Sequence, residues 1–414
     1  MVNLPADFVA ETRRIMGDER YNRFVGAFDE EAPTSIRVNP RIVGDGCFDG
    51  EKQVPWCSEG YYLNDRPQFT FDPLLHAGCY YVQEASSMFV THVLRNCQLS
   101  IVNYQLALDM CAAPGGKSTA LRSVLPDDCV LISNEPMGNR AQILLENVTK
   151  WGGPNHIVTN NYPRDFRKAK LKFDLILCDV PCSGEGMFRK DPNAISEWSV
   201  QNVEKCWQLQ REIVADAWEC LNPGGLLIYS TCTYNTKENE ENIRWILDTY
   251  DAQVLDIPVD PSWNITGSLL EGFNEPVYRF IPGITRGEGL FVCALRKNTR
   301  KEEGERSKEI SSADIIKNKN LKVLDPGILL PPSSLLPPKV DVDYATALKY
   351  LRGEALVLPA DTPRGIVTIT YQGQPLGPAK NIGNRANNLY PKAWRIKSTH
   401  LPSEAPKVLK NVKI

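Results

Sequence analysis

Two short stretches of this 414-residue chain place a cysteine directly after an apolar run. Asp179-Val180-Pro181-Cys182 follows the run that begins at Phe173, and Thr231-Cys232-Thr233 follows the run that begins at Leu226. Each run is typical of a buried strand. The carboxyl ends of parallel strands form the edge of an open α/β sheet where ligands bind. We therefore predict that two thiols and the Asp179 carboxylate face one crevice, although either thiol alone would more often be a buried hydrophobic residue.

A glycine-rich turn, Ala113-Pro114-Gly115-Gly116-Lys117, separates a predicted strand from a predicted helix. It is not a triphosphate-binding loop, because Cys111 stands where that motif needs its first glycine, and the dinucleotide pattern is also unmet. Glu135 follows the next strand, about 20 residues beyond the glycines, where an acid can bind the hydroxyls of a ribose. A ligand with an adenosine half and no pyrophosphate suits these residues, and S-adenosylmethionine is the obvious candidate.

The composition indicates a globular protein of two or three domains. Its formal net charge of -3 gives no overall sign of nucleic-acid binding, so any basic surface must be local. The twelve cysteines lack the paired spacing of a zinc site and only four histidines accompany them, so we expect no metal. We find no signal peptide and no apolar run of the roughly 18 residues that span a bilayer. A cytoplasmic protein without membrane contact is expected.

Strands alternate with helices from Leu106 onward, which predicts βαβ units and a mainly parallel sheet. We divide the chain into a small α+β amino-terminal lobe at 1–78, an α/β core at 79–298, a linker at 299–343 and an α+β carboxy-terminal module at 344–414. The two outer units are expected to bind RNA, for reasons given below.

Local patterns give more detailed expectations. Tyr80–Leu94 reads as a helix, and both Pro55–Cys57 and Ala355–Leu358 read as short strands. The stretch Arg296–Lys322 mixes both signs of charge without aromatic residues, which is typical of a solvated linker. The following stretch, Pro326–Pro338, is rich in proline and leucine and should be extended.

The last part of the chain is locally basic, with Glu404 as its one acid after Ala379. Tyr390 and Trp394 lie among the cations, and such a mixture suits phosphate contact together with base stacking. A solvated basic tail is the alternative. The cations are Lys380, Arg385, Lys392, Arg395, Lys397, Lys407, Lys410 and Lys413.

Three motifs together resemble the RNA cytosine methyltransferases of the Nol/Nop/Sun family. They are Asp109–Lys117, Asp179–Gly184 and Ser230–Tyr234, and they occur in the family's order. The stretches Asn381–Arg385 and Asn388–Pro391 resemble the carboxy-terminal part of the bacterial RsmF-type branch, which methylates small-subunit ribosomal RNA. The resemblance implies a Rossmann-like class I fold that uses S-adenosylmethionine.

The resemblance also implies a role for each group of the crevice. Carbon 5 of cytosine is a poor nucleophile, and a thiolate that adds to carbon 6 activates it by covalent catalysis. Cys232 is the implied nucleophile and Cys182 is implied in the release step. Asp179 would hydrogen-bond or protonate ring nitrogen N3. We expect Lys117 to lower the pKa of a thiol or to position the cytosine base.

The cofactor residues carry over from the family in the same way. Glu135 would bind the ribose, Asp179 would lie near the methyl end and Arg140 would brace the region. Tyr162 stands where the family usually has an acid that reaches the adenine amino group, so either its ring stacks on the adenine or the backbone binds it. The residues expected around the methionine and sugar are Cys111, Ala112, Ala113, Pro114, Gly115, Gly116 and Lys117.

RNA contacts are predicted in all three units. Arg37 lies in the first lobe, and Arg189 and Lys190 follow the first thiol motif, where a solvated charge cluster is an equal alternative. In the carboxy-terminal module we select Lys380, Arg385, Lys392 and Arg395. The expected partner is ribosomal RNA, free or within the small subunit, bound by a monomer.

Two other functions remain open at this level. The same chemistry on transfer RNA differs only in the substrate, since the tail favours ribosomal RNA by resemblance alone. A non-catalytic RNA-binding assembly factor that kept the fold is favoured by the tyrosine at 162. It is disfavoured by the presence of Asp179, Cys182 and Cys232 together. The first lobe and the stretch before Tyr344 also look short for the family, and this shortness favours the assembly factor.

Overall fold

The structure is a computed structural model. The residues it describes are 2–44, 52–97, 101–299, 310–325, 337–398 and 400–409. Among these residues, no helix is both long enough and apolar enough to cross a bilayer. The same part of the chain brings together no group of three or more histidine, cysteine, aspartate or glutamate side chains that could hold a metal ion.

The amino-terminal lobe begins with helices α1 (Ala6–Met16) and α2 (Asp18–Gly26). Helix α1 buries Phe8, Thr12 and Met16, which recur every fourth residue and therefore share one face. The chain then forms strands β1 Ser35–Val38, β2 Gly60–Tyr62 and β3 Tyr80–Val82, and the short helix α3 (Pro73–His76) lies between β2 and β3 in the chain. The three strands pair as an antiparallel sheet in the order β2-β1-β3.

Two predictions for this region are wrong. Pro55–Cys57 forms turns rather than a strand. Tyr80–Leu94 is not one helix, because its first three residues form β3, Ser86–Met88 form a 3-10 turn and the α-helix α4 covers only Phe89–Asn96. The apolar tyrosines at 80 and 81 fit either structure, and pairing of β3 with β1 selects the strand.

The central sheet is built from the strands β4 Leu106–Asp109, β5 Val130–Asn134, β6 His156–Thr159, β7 Phe173–Asp179, β8 Leu221–Thr231, β9 Ala252–Val254, β10 Tyr278–Phe280, β11 Leu290–Lys297 and β12 Val323–Leu324. Their order in the sheet is β10-β11-β8-β7-β4-β5-β6-β12, with β9 paired to β11. Strands β8, β7, β4, β5 and β6 are parallel, as the alternating pattern predicted, and the outer strands are antiparallel.

Helices cover both faces of this sheet. Successive strand residues alternate between two hydrophobic clusters: Leu108 and Ile132 face one, and Ala107 and Leu131 face the other. Burial on both faces explains why the parallel strands are continuous apolar runs. The helices are α5 Gly116–Val124, α6 Gly138–Trp151, α7 Pro163–Lys168, α8 Pro192–Glu197, α9 Val200–Cys220, α10 Glu240–Thr249 and α11 Ser312–Ile316.

The segment predicted as a solvated linker is ordered where the structure describes it. Helix α11 starts with a capping box formed by Ser311 and Asp314, and it buries Ile315 completely in the core. Strand β12 then adds to β6 at the edge of the central sheet. A few apolar residues within a charged stretch are enough to anchor it, so the solvated prediction is wrong for these residues. The predicted extended segment lies almost wholly outside the described residues.

The carboxy-terminal module packs one helix, α12 (Tyr344–Leu351), on a four-stranded sheet. The order of this sheet is β13 (Lys339–Asp341), β14 (Gly365–Tyr371), β15 (Gln374–Asn381) and β16 (Ala386–Asn388). Ala355–Leu358 is not a strand, because Leu356 makes only an isolated bridge to Ala386. Leu348 and Tyr350 of α12 join Ile36 of the amino-terminal lobe in one hydrophobic cluster, so these outer units share a core.

Candidate active site

The strand order reverses between β4 and β7. The chain proceeds from β4 to β5 and β6 on one side, and from β7 to β8 and β11 on the other. Strands β4 and β7 end at Asp109 and Asp179, so the two carboxylates lie at the point of reversal. This is where open α/β sheets form their ligand crevice.

The two thiols predicted to share a crevice are in contact. Cys182 Sγ lies 3.3 Å from Cys232 Sγ. The reason is the register of the parallel strands β7 and β8, which pairs Asp179 with Ser230 and so brings the following residues to the same height. Both cysteines are half-buried, and all described cysteines are free thiols. The sulfurs therefore lie on one side of the sheet edge.

Asp179 joins the thiols to the glycine-rich turn. Its Oδ2 accepts a hydrogen bond of 2.8 Å from Lys117 Nζ, and its Oδ1 accepts one of 2.7 Å from Ser230 Oγ. Burial by itself would lower the pKa of Lys117, but the charge and hydrogen bond of Asp179, followed by the charge of Cys232, outweigh it and raise that pKa. Lys117 is thus an ammonium group fixed against the Asp179 carboxylate.

The two sulfurs interact through this contact. The hydrogen bond to Cys232, followed by burial, raises the pKa of Cys182 well above its ordinary value. Either sulfur can be the donor in the contact. A thiolate is the reactive form of cysteine, and the assignment of the nucleophile to Cys232 stays a prediction.

Glu135 directly follows β5, which pairs with β4 on the side away from the thiol-bearing strands. Its side chain is buried, Oε1 accepts a hydrogen bond of 2.9 Å from the Met137 backbone N–H, and Oε2 has the Arg140 guanidinium at 3.3 Å but no hydrogen bond. Arg140 also donates to the Ala113 carbonyl at 3.0 Å, which ties it to the turn. A buried carboxylate oxygen without a donor fits a ligand that brings hydroxyl groups.

A side-chain hydrogen bond fixes the glycine-rich turn to the end of β4. Ser118 Oγ donates a hydrogen bond of 2.5 Å to Asp109 Oδ2, while Asp109 Oδ1 has no hydrogen-bond partner. Burial, opposed in part by the Ser118 hydrogen bond, raises the pKa of Asp109 to about 7. Gly115 has a φ of +115°, a conformation that side chains rarely adopt, and it precedes the first residue of α5. The start of α5 is thereby fixed next to the end of β4.

Cys111 and Tyr162, two of the predicted cofactor residues, differ in exposure. Cys111 packs against the core, and burial raises the pKa of its thiol well above the ordinary value, so it acts as a small apolar side chain. Tyr162 is 56% exposed, and the Arg164 guanidinium lies 5.2 Å from its ring centroid. The other side of the ring is open to stacking, whereas a tyrosine does not supply the carboxylate that the family usually has here.

Comparisons with known proteins cover all three units. A model described as 16S rRNA methyltransferase RsmB/F matches residues 96–296, one of the N-terminal domain of RsmF matches 4–85, and one of the RsmF PUA domain matches 337–396. Ribosomal RNA small subunit methyltransferase F of Serratia proteamaculans is 30% identical over 469 aligned positions, which cover 94% of this chain and 96% of that protein. The chain belongs to the RsmF family.

Other RsmF-family relatives match over a shorter length. The Pectobacterium carotovorum protein of the same name is 35% identical over 71% of this chain, and the match spans 63% of its own length. The 469 aligned positions with the Serratia protein exceed the length of this chain, so that alignment contains gaps here. The alignment does not locate these gaps, so the short first lobe and the short stretch before Tyr344 stay predictions.

Solved structures confirm the Rossmann-like methyltransferase fold. A methyltransferase homolog protein from Pyrococcus horikoshii superposes with a TM-score of 0.57 at 27% identity, over 71% of this chain and all of that one. NSun6 from Pyrococcus horikoshii, solved with SFG, gives a TM-score of 0.59 at 21% identity, over 72% of this chain and 99% of that one. The predicted fold class is therefore correct.

The structure contradicts two of the predicted RNA contacts. Arg37 is completely buried, where it donates to Gln83, to Thr119 and to the Gly116 carbonyl. Arg189 is only 6% exposed in its side chain and forms an ion pair with Glu288. Both arginines hold loops near the crevice in place, and neither presents its charge to a phosphate.

The remaining predicted contacts lie nearer the surface. Lys190, Lys380, Arg385 and Lys392 are exposed, and Arg395 is half-buried against Gly353. Tyr390, expected to stack on a base, is instead buried in the core beside Trp394. Lys410 and Lys413 lie outside the described residues.

Three polar residues around the thiols escaped the sequence prediction. Glu185, Asn235 and Glu238 are buried and hydrogen-bonded to the two thiol-bearing loops. The available signal was an acid a few residues after each catalytic-type cysteine, in Ser-Gly-Glu-Gly and in Asn-Thr-Lys-Glu. Neither sequence pattern indicated that the two glutamates are buried.

Proposed function

We propose that this chain methylates carbon 5 of a cytosine in small-subunit ribosomal RNA, with Cys232 as a covalent nucleophile. The observation that carries the proposal is the contact of 3.3 Å between Cys182 Sγ and Cys232 Sγ, next to the Lys117–Asp179 pair. Membership in a family named for 16S rRNA methylation supports the substrate and the reaction.

The crevice supports S-adenosylmethionine as the methyl donor. Glu135 would accept from the ribose hydroxyls through Oε2, which has the Arg140 guanidinium at 3.3 Å but no hydrogen bond, and the start of α5 at Gly115 and Gly116 would adjoin the methionine half. The Tyr162 ring is available to stack on the adenine. SFG, present in the NSun6 structure, is an analogue of this cofactor. When bound, S-adenosylmethionine supplies an electrophilic methyl group on sulfur.

The side chains of this chain would act on the cytosine in a defined order. The Cys232 thiolate adds to carbon 6 and makes carbon 5 nucleophilic. Asp179, fixed by Lys117 and Ser230, would contact ring nitrogen N3 and support the charge that develops there. After carbon 5 has taken up the methyl group, a base would take the carbon-5 proton, the C5–C6 double bond would re-form and Cys232 would depart as a thiolate; we assign Cys182 to this release step.

The target base must leave its stack to reach Cys232, because a thiol cannot approach carbon 6 within a stacked helix. The exposed cations of the carboxy-terminal module, which belongs to the RsmF PUA family, are the proposed phosphate contacts. We propose that the chain acts as a monomer. A cytoplasmic location follows from ribosomal RNA as the substrate.

Two cysteine variants test the chemistry on ribosomal RNA from a strain that lacks this gene. Cys232→Ala should abolish methylation. Cys182→Ala should accumulate a covalent protein–RNA adduct, visible as a slow band on a denaturing gel. Activity retained by Cys232→Ala would disprove the assignment of the nucleophile.

Bisulfite sequencing of total RNA from the same strain tests the substrate. A ribosomal cytosine should lose its protection, and loss at a transfer RNA cytosine instead would favour the transfer RNA alternative. A chain that fails to bind S-adenosylmethionine in calorimetry would favour the non-catalytic assembly factor.

A further inference from the structure

Each thiol-bearing loop carries a buried carboxylate that binds the backbone of the other loop. Glu185, three residues after Cys182, accepts hydrogen bonds from the backbone N–H groups of Tyr234 at 2.6 Å and Asn235 at 3.1 Å. Glu238, six residues after Cys232, accepts one of 3.0 Å from the Ser183 backbone N–H. The two contacts cross, so neither loop can shift without breaking one of them.

Two amide side chains complete this carboxylate cross-brace. Asn235 Nδ2 lies 3.0 Å from Glu185 Oε1 and 2.8 Å from Glu238 Oε1, and so joins both acids. Gln210, on helix α9, donates to Glu238 Oε2 at 2.7 Å and to the Pro181 carbonyl at 2.9 Å. The brace therefore also ties the first loop to a long helix of the core.

The loops touch directly at two further points. The Gly186 backbone N–H donates to the Cys232 carbonyl at 2.6 Å, and a Cβ atom at residue 186 would collide with that carbonyl oxygen. The hydroxyl groups of Ser183 and Thr233 lie 2.9 Å apart. These contacts flank both sulfurs, so the position of Cys182 relative to Cys232 depends on the fit between the loops.

Burying two carboxyl groups in this space costs free energy. Glu185 is 2% exposed and Glu238 is 0% exposed. Burial, followed by the charge of Glu185, raises the pKa of Glu238 to about 7. Neutral side chains of similar volume are often no worse for stability than buried charges, whereas the carboxylates provide strong, directional acceptors for backbone donors of the opposite loop. Their arrangement therefore serves position more than stability.

We propose that Glu185 and Glu238 are positioning residues that hold the Cys182 sulfur against the Cys232 sulfur by bracing the two loops crosswise. The catalytic consequence rests on the proposed function: loosening the brace should slow the release step assigned to Cys182 more than the attack by Cys232. Covalent protein–RNA adduct should then accumulate. A merely destabilising substitution would reduce the amount of folded protein without accumulating adduct.

Glu238→Gln is the decisive variant. The amide keeps one oxygen for the Ser183 N–H, but its own N–H2 group would face the donor of Asn235. The first measurement is the rate at which diamide, an azo oxidant reduced to its hydrazine, removes two electrons and two protons and links Cys182 to Cys232. Peptide mass mapping identifies the disulfide. Loss of one hydrogen bond predicts linkage about fivefold slower than in the parent chain.

The second measurement is the fraction of ribosomal RNA held as adduct during turnover, with Cys182→Ala as the positive control. Asp72→Asn is the matched control, since Asp72 is a buried carboxylate that caps helix α3 far from the thiols in sequence. It should lower the thermal midpoint without changing the linkage rate or the adduct. Should Glu238→Gln not fold, Glu185→Gln undergoes the same measurements.

The outcomes separate this proposal from the proposed function. Linkage at the parental rate in the glutamine variant overturns the brace, whatever the activity. Slow linkage with accumulated adduct supports it. If the parent chain does not methylate and Cys182→Ala forms no adduct, the proposed function fails, and the linkage rates alone still decide whether the brace positions the sulfurs.

Discussion

The Lys117 ammonium and the Asp179 carboxylate lie 2.8 Å apart at the junction of the glycine-rich turn and the thiol loops. Only 13% of the lysine side chain and 29% of the aspartate side chain are exposed, so solvent screens this pair weakly. Ser230 fixes the other carboxylate oxygen. The carboxylate is therefore oriented before a substrate arrives, and its cation provides the compensating charge.

Replacing Lys117 with methionine should lower the methylation rate about 100-fold, the usual cost of removing one preorganised electrostatic contact. The backbone of the turn remains, so the affinity for S-adenosylmethionine should change much less than the rate. Single-turnover methylation and calorimetry separate the two effects. Lys168→Met, which removes an exposed lysine on α7, is the control and should retain full activity. Equal losses in both measurements would point to a binding role for Lys117.

Glu135→Gln should weaken S-adenosylmethionine binding by about tenfold or more, because hydrogen bonds to a charged acceptor are worth more than those to a neutral one. The amide oxygen can still accept from the Met137 N–H, so the loop should keep its shape. Calorimetry measures the dissociation constant, and Glu212→Gln on the exposed side of α9 serves as the control. Unchanged affinity would remove Glu135 from the ribose site.

The sequence predicted the strands that build the crevice because they are buried on both faces and therefore read as continuous apolar runs. The contact between Cys182 and Cys232 followed from the rule that parallel strands end at one edge. The burial of Glu185 and Glu238 was not predictable, because a carboxylate side chain is expected to face solvent unless buried hydrogen-bond donors for it are known. Here those partners are backbone N–H groups of a loop about 50 residues away, which no local pattern encodes.

Arg37 illustrates the same limit and gives a test of stability. An arginine in a short strand suggests an exposed charge, yet it is enclosed between β1, α5 and the Trp151 ring, 4.3 Å from its guanidinium. Arg37→Met should reduce the free energy of unfolding by about 3 kcal/mol, because buried acceptors at Thr119 and Gly116 lose their donor. Urea denaturation measures this loss.

The exposed Arg385 provides the control for the urea denaturation of Arg37→Met. Arg385→Met should change the free energy of unfolding by less than about 0.5 kcal/mol, as expected for a surface site, and should weaken RNA binding in a salt-dependent way. The reverse pattern, with Arg37 affecting RNA affinity alone, would restore the original prediction for that residue.

Asp109 should make the stability of the protein fall as the pH rises from about 4 to about 7. Burial raises its pKa to about 7, the nearby Asp179 charge adds to this shift, and Lys117 and Ser118 oppose it. The folded state therefore holds a proton that the unfolded chain releases near its ordinary pKa of 3.8. Since the folded state binds more protons in this interval, each rise in pH favours unfolding.

Asp109→Asn removes this titration, so its free energy of unfolding should depend less on pH than that of the parent chain between about pH 4 and 7. At pH 8 the variant should gain a few kcal/mol relative to its difference at pH 4, since one pKa unit corresponds to about 1.4 kcal/mol. Glu238 and Glu288 also have pKa values raised to about 7, chiefly by burial, and contribute the same slope in both proteins. The difference between the two denaturation series therefore isolates Asp109, and parallel series would contradict its protonated state in the fold.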